Sequence, residues 1–198
     1  MSTIARPRRS VLYLPASNAR AVEKSRTLAC DVVILDLEDA VAPDAKVEAR
    51  AGAAAAALAG GYGERELVIR VNGLDTPWGA EDLAAVAAAK PDAVLVPKIS
   101  SPADLEAARA ALGSGIRLWA MIETCAAMFD LNAIGAASVR TGVDVWVIGS
   151  NDLAKEMRCA LTVDRAPLMT ALSLSLMAAR AHGLSILDGV YNDIADAD

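Results

Sequence analysis

The stretch VVILDLEDAV, residues 32–41, reads as a buried strand that runs into a group of acids. Val32, Val33, Ile34 and Leu35 follow one another without a polar interruption, as in a strand covered on both faces. Asp36, Glu38 and Asp39 come next, with only Leu37 among them. Acids gathered at a strand's end repel one another and lose solvation if covered, so their placement asks for cations nearby. The same form recurs along the chain: SVLYLP (10–15), ELVIRVN (66–72), AVLVPKI (93–99), RLWAMIET (117–124), DVWVIGS (144–150) and SILDGV (185–190). Ala- and Leu-rich stretches with helical spacing lie between these runs. In one of them Ser100 or Ser101 supplies an N-cap and Pro102 the first helical turn for DLEAARAAL.

Strand and helix alternating without hairpin signals predict parallel strands joined by right-handed crossovers. Two architectures meet that description, a doubly wound open sheet and a (β/α)8 TIM barrel. The GxGxxG fingerprint is absent after the first strand, where LPASNAR stands instead. The strand ends decide between them. Asn18 follows the first run, Asp36, Glu38 and Asp39 the second, Arg70 and Asn72 close the third, and Lys98 the fourth. Glu123 follows the fifth, Asn151 and Asp152 the sixth, Asp188 the seventh. A closed parallel barrel brings all these ends to one rim, where anions and cations can pair or share a metal. The expectation is a single TIM-barrel domain over residues 1–198.

Composition sets the outer limits. The chain has 198 residues, 55% hydrophobic and 22% charged, which suits a folded domain with a sizeable core. A net charge of −6 argues against a nucleic-acid partner. No apolar run reaches bilayer length, and MSTIARPRRS leads straight into a strand, so a cytoplasmic protein is expected. Arg6, Arg8 and Arg9 read as a solvated basic leader. Cys30, Cys125 and Cys159 lack metal spacing and read as reduced thiols. The lone His182 precedes Gly183 at the end of a helical pattern, a capping position. With no second histidine, acid, base or metal chemistry falls to carboxylates, Lys, Arg or Tyr.

Glu123 and Asp152 each follow an apolar run, and two carboxylates plus water are the usual protein share of a magnesium site. Separate capping roles are the alternative. Arg70 lies inside VIRVN, where its fork suits a substrate carboxylate or a neighbouring acid such as Glu38. Lys98 in LVPKI offers an ion pair to substrate or protein, or a Schiff base with a keto acid. Lys46 and Arg50, four residues apart in DAKVEAR, read as a solvated helix face or as a seat for a cofactor's phosphates.

Together, RSVLYLPASNARAVEKS, DVVILDLEDAVAPDAKVEAR, VIRVNGLDTPWGAEDL, AVLVPKISSPADLE, WAMIET and GSNDLAKE resemble the citrate lyase beta-subunit-like family of aldolases and lyases. The resemblance runs in order from Arg9 to Asp196. It implies a TIM barrel assembled as a homotrimer or other homo-oligomer, with Mg2+ held by Glu123 and Asp152. It also implies that Arg70 grips an oxo acid, with Asn72 and Lys98 as further substrate contacts and Glu38 and Asp39 among the catalytic acids. The activity implied is Mg2+-dependent carbon–carbon cleavage of a 3-hydroxyacyl-CoA thioester such as malyl-, citramalyl- or citryl-CoA. Two departures stand out. Ala16 occupies a position where the family usually has Gly, and the family pattern continues into an eighth strand–helix unit and a C-terminal segment that this chain lacks. Either the sequence is a piece of a longer protein, or the site is incomplete; a barrel that binds metal and oxo acid without cleaving is the alternative expectation.

Overall fold

A computed structural model describes residues 6–193. All seven expected strands form, alternating with seven α-helices. The chain divides into two compact units, Met1–Val96 with Ala108–Arg117, and Pro97–Ala107 with Leu118–Asp198.

In the first unit, β1 (Val11–Pro15), β2 (Val32–Asp36), β3 (Glu66–Arg70) and β4 (Ala93–Val96) pair in chain order, every pair parallel. Helices α1 (Ala19–Ser25), α2 (Lys46–Ala59) and α3 (Gly79–Ala89) make the crossovers. Every residue of β2, β3 and β4 is buried, which explains the apolar run in the middle of each, with Asp36, Glu66 and Arg70 only at strand ends. Withdrawing a side chain the size of Ile34 or Leu35 from water contributes about 1.5–3 kcal/mol. Helix α2 turns Ala49, Ala53 and Ala56 inward, at spacings of three and four. The register sets Asp36 opposite Arg70, each the last residue of its strand.

Helix α4 (Pro102–Leu112) leads to β5 (Arg117–Ile122). The backbone N–H groups of Ser100 and Ser101 donate to the Asp104 carboxylate at 2.9 and 2.8 Å, so the aspartate two residues into the helix closes this turn. In the second unit β5, β6 (Val143–Ile148) and β7 (Ser185–Leu187) pair parallel, with Ile122 opposite Ile148. Helices α5 (Cys125–Thr141), α6 (Ser150–Met157) and α7 (Met169–Ala181) complete it. Trp119 and Trp146 are fully buried, and the Trp146 indole donates to Ser138 Oγ at 2.9 Å. His182 caps α7 as expected, followed by Gly183 at φ +72°. Among the described residues no helix is long and apolar enough to cross a membrane.

Of the N-terminal arginines, Arg9 keeps an exposed side chain, but Arg8 is largely covered rather than part of a solvated leader. Arg8 donates twice to Glu66, at 2.6 and 3.0 Å, and Arg117 approaches the same carboxylate at 2.8 Å. Glu66 opens β3 with no side-chain exposure, and the two cations satisfy its carboxylate there. Arg9 chelates Asp31 just ahead of β2, at 2.9 and 2.8 Å, and Arg6 reaches Asp92 at 3.2 Å.

Candidate functional site

Two groups of polar side chains gather just past the C-terminal ends of strands, one in each unit. In the first unit Asp36 organises the acidic turn. Its carboxylate takes both ends of the Arg70 fork, Nε at 2.7 Å and a terminal nitrogen at 2.6 Å. It also accepts the backbone N–H groups of Glu38 at 2.9 Å and Ala40 at 3.0 Å. The other Arg70 nitrogen lies 2.9 Å from Glu38 and 3.8 Å from Asp39. Burial alone would pull the Arg70 pKa down, but the bonds to Asp36 and the charges of Asp36 and Glu38 outweigh it and raise the pKa. The acids after β2 are thus collected around one buried guanidinium that also lies over the Tyr13 ring. Arg70 thus makes the expected ion pair with acids of the neighbouring strand, Glu38 among them, a role compatible with substrate contact.

Lys46 corrects the reading of α2 as a solvated face. Its ammonium is buried and donates to the carbonyls of Leu37 and Glu38, both at 2.7 Å, and to Asn72 Oδ1 at 2.8 Å. Burial lowers the Lys46 pKa, against the opposing pull of Asp36, Glu38 and Asp82. Arg50 is likewise not solvated: it pairs with Asp82 and Glu81, at 2.6 and 2.5 Å, with its side chain 11% exposed. Asn72 braces the same turn: its amide donates to Leu37 O at 3.0 Å and to Asp82 at 2.6 Å. With its oxygen on Lys46 as well, Asn72 is held by three side-chain hydrogen bonds in this turn.

In the second unit Glu123 follows β5 and Asp152 lies in the first turn of α6, after β6. Their carboxylate oxygens come within 4.8 Å of each other. A cation with oxygen contacts of about 2–2.5 Å can bridge that span. Glu123 is 2% exposed, and Asp152 opens onto a cleft of about 430 Å3 lined also by Lys98, Thr124, Lys155, Glu156 and Arg158. Glu123 Oε1 accepts the Lys98 backbone N–H at 2.9 Å, while the Lys98 ammonium contacts Asp152 and lies 3.9 Å from Glu123. Asn151 turns away and pairs with Asn192. Asp188 is chelated by Arg165, at 2.7 Å to each oxygen, and this holds its pKa below the usual carboxylate value.

Gly149, which the sequence reading passed over, makes room for Glu123. A Cβ there would lie 2.6 Å from the Glu123 Cβ and closer still to its carboxylate. The signal was present in VIGSND, a glycine between the strand and the acid's helix. Oxygen-only donors, deep burial of one of them and a glycine that keeps the space open fit a hard divalent cation such as Mg2+. Gly149→Ala is expected to push Glu123 aside and weaken Mg2+ binding by roughly 10–100-fold, the usual effect of disturbing a ligand's support. Titration calorimetry reads this directly, and an unchanged affinity would remove Glu123 from the ligand set.

Comparison with known proteins gives the chain's family. The family model HpcH/HpaI aldolase/citrate lyase matches residues 9–198. A (3S)-malyl-CoA thioesterase of Cereibacter sphaeroides is 50% identical over 198 residues, covering 100% of this chain and 68% of the relative. An L-malyl-CoA/beta-methylmalyl-CoA lyase of the same species is 31% identical over 221 residues, covering 97% of this chain and 69% of that protein. Among solved structures, a citrate lyase beta subunit from M. tuberculosis complexed with oxaloacetate and magnesium is similar at a TM-score of 0.80 and 30% identity, covering 96% of this chain and 82% of that one. The chain belongs to the HpcH/HpaI aldolase/citrate lyase family.

Proposed function

We propose that this chain acts on a malyl-type 3-hydroxyacyl-CoA thioester, with a magnesium ion between Glu123 and Asp152, and that hydrolysis of the thioester is its reaction. The barrel and its common rim are part of the same proposal, supported by the likeness to the citrate lyase beta subunit. The observation that carries the reading is the carboxylate pair, with oxygens within 4.8 Å, in a chain half identical to malyl-CoA thioesterases along its whole length. A bound Mg2+ supplies Lewis acidity toward the substrate's hydroxyl and carboxylate oxygens. Glu123, almost fully buried, and Asp152, on the cleft, would be the residues that hold that ion. Asp39, whose side chain is 60% exposed, is the oxygen base we assign to proton removal from water or hydroxyl. Glu38 joins it among the acids, and Arg70 with Asp36 fixes the turn that presents both. Substrate contact by Arg70 remains within the proposal through the nitrogen that faces Glu38 and Asp39, and Lys98 is a second cation able to meet the substrate's acid group.

Carbon–carbon cleavage is the second reading, favoured by the 31% identity to malyl-CoA lyases. The hydroxyl proton is then removed, the bond between the carbinol carbon and the acyl α-carbon breaks, and the thioester enolate is protonated. The imine route through Lys98 has no support from a side chain ion-paired with two carboxylates. One incubation with (3S)-malyl-CoA and Mg2+ separates the readings. Hydrolysis releases malate and free CoA thiol. Cleavage releases glyoxylate and acetyl-CoA, with no new thiol. Free thiol without glyoxylate is the expected result, and glyoxylate as the main product replaces it with the lyase reading. No turnover with Mg2+ binding intact overturns both and leaves a binding protein.

A further inference from the structure

Lys98 has an unusual backbone and an unusual seat. Its φ is +55°, in the left-handed region that side chains other than glycine rarely adopt. Lys90 and Arg158 share that conformation as C-caps of α3 and α6, an ordinary place for it. Lys98 is in no helix. It follows Pro97 directly after β4, so what holds it there is local: its N–H on Glu123 Oε1 at 2.9 Å, and its ammonium against Asp152 and 3.9 Å from Glu123. One residue thus touches the same two carboxylates through both backbone and side chain. Strain of this kind at a site is a reason to look for a role.

The carboxylate oxygens lie within 4.8 Å of each other, and a divalent cation needs the space between them. The Lys98 ammonium is already directed into that space. Two cations there would stand within a few ångströms of each other in a partly buried site, where like charges repel strongly. The geometry points to Lys98 as a built-in competitor for the metal: its ammonium holds Glu123 and Asp152 together and must swing outward for a divalent cation to bind. The lysine stem can make that movement, since the side chain is 45% exposed and borders the cleft beside Thr124 and Lys155. The backbone N–H stays on Glu123 throughout and keeps that carboxylate aimed while the ammonium leaves. Lys98 therefore positions the ligands and sets the metal affinity, lowering it in exchange for a site that is assembled before the metal arrives.

This proposal rests on the reading that Glu123 and Asp152 hold Mg2+. Calorimetric titration of Mg2+, and of Mn2+ followed by electron paramagnetic resonance, would compare the wild-type chain with Lys98→Met and Lys98→Gln. Both variants keep the backbone N–H and lose the charge. They are expected to bind either metal at least about tenfold more tightly, since a nearby like charge has gone. In chelator their melting temperatures are expected to fall below wild type, and added Mg2+ is expected to raise them by more than it raises wild type. Equal or weaker binding by both variants, with wild-type binding intact, overturns the role of Lys98 alone. If neither wild type nor variants bind either metal, the magnesium reading fails and this proposal falls with it. If one variant does not fold, the other decides.

Discussion

Glu123→Gln and Asp152→Asn are each expected to abolish measurable Mg2+ binding and to lower turnover on the order of 10³-fold, with the fold retained. Each substitution keeps the shape of the side chain and removes one unit of negative charge from a two-carboxylate pair. Lewis-acid stabilisation is worth several kcal/mol of barrier, which sets the scale of the loss. The two variants differ in their effect on stability. Glu123 is 2% exposed and a glutamine there can still accept the Lys98 N–H at the oxygen now 2.9 Å away, so its fold is braced by the same contact. Asp152 is 25% exposed on its side chain, and its loss releases a half-exposed lysine, an ion pair worth about 1 kcal/mol or less. Far-UV circular dichroism and melting temperature therefore stay near wild type while calorimetry shows no heat of Mg2+ binding. Wild-type affinity in both variants would remove the metal from this pair.

The alternation of strands and helices was legible because strands such as β2, β3 and β4 are covered on both faces and so carry runs of apolar residues with clear borders. Strand ends were less so. AVLVPKI reads as a strand to Ile99, yet β4 stops at Val96, because Pro97 has no N–H to give and Lys98 turns into the left-handed region. SILDGV is likewise cut at Leu187, where Asp188 turns to Arg165. Glu123 and Asp152 stood out as acids after apolar runs, since each needs only its own strand to be recognised. Arg8, Arg50 and Lys46 did not. Arg8 finds Glu66 58 residues away and Arg50 finds Asp82 32 residues away, so nothing near them in sequence separates a buried pair from a solvated face. Lys46 was hidden for the same reason, as its Asn72 partner lies 26 residues on. Local pattern gives the elements and the acids at their ends, while pairing across strands decides which charges are structural.

The acids that open this problem make the sharpest stability prediction. Asp36→Asn is expected to cost about 3–5 kcal/mol, the usual penalty for removing one partner of a buried ion pair. At this chain length that is a fall in melting temperature of roughly 6–20 °C. Asp36 is 1% exposed and accepts four hydrogen bonds, two from Arg70 and two from the backbone of its own turn. An amide has one accepting oxygen. Whichever way it is turned, its NH2 group faces two donors, and both an Arg70 N–H and a backbone N–H, of Glu38 or of Ala40, lose their bonds. The guanidinium cannot shed its charge to relieve the conflict, since its neighbours raise its pKa. Arg70→Met on the same background takes the displaced cation away, so the double variant is expected to lose less than the sum of the two single ones, by at least about 1 kcal/mol. Urea denaturation of all four proteins gives that difference. Additive losses would mean that Asp36 and Arg70 act separately, and the acids after β2 would then need another source of compensation.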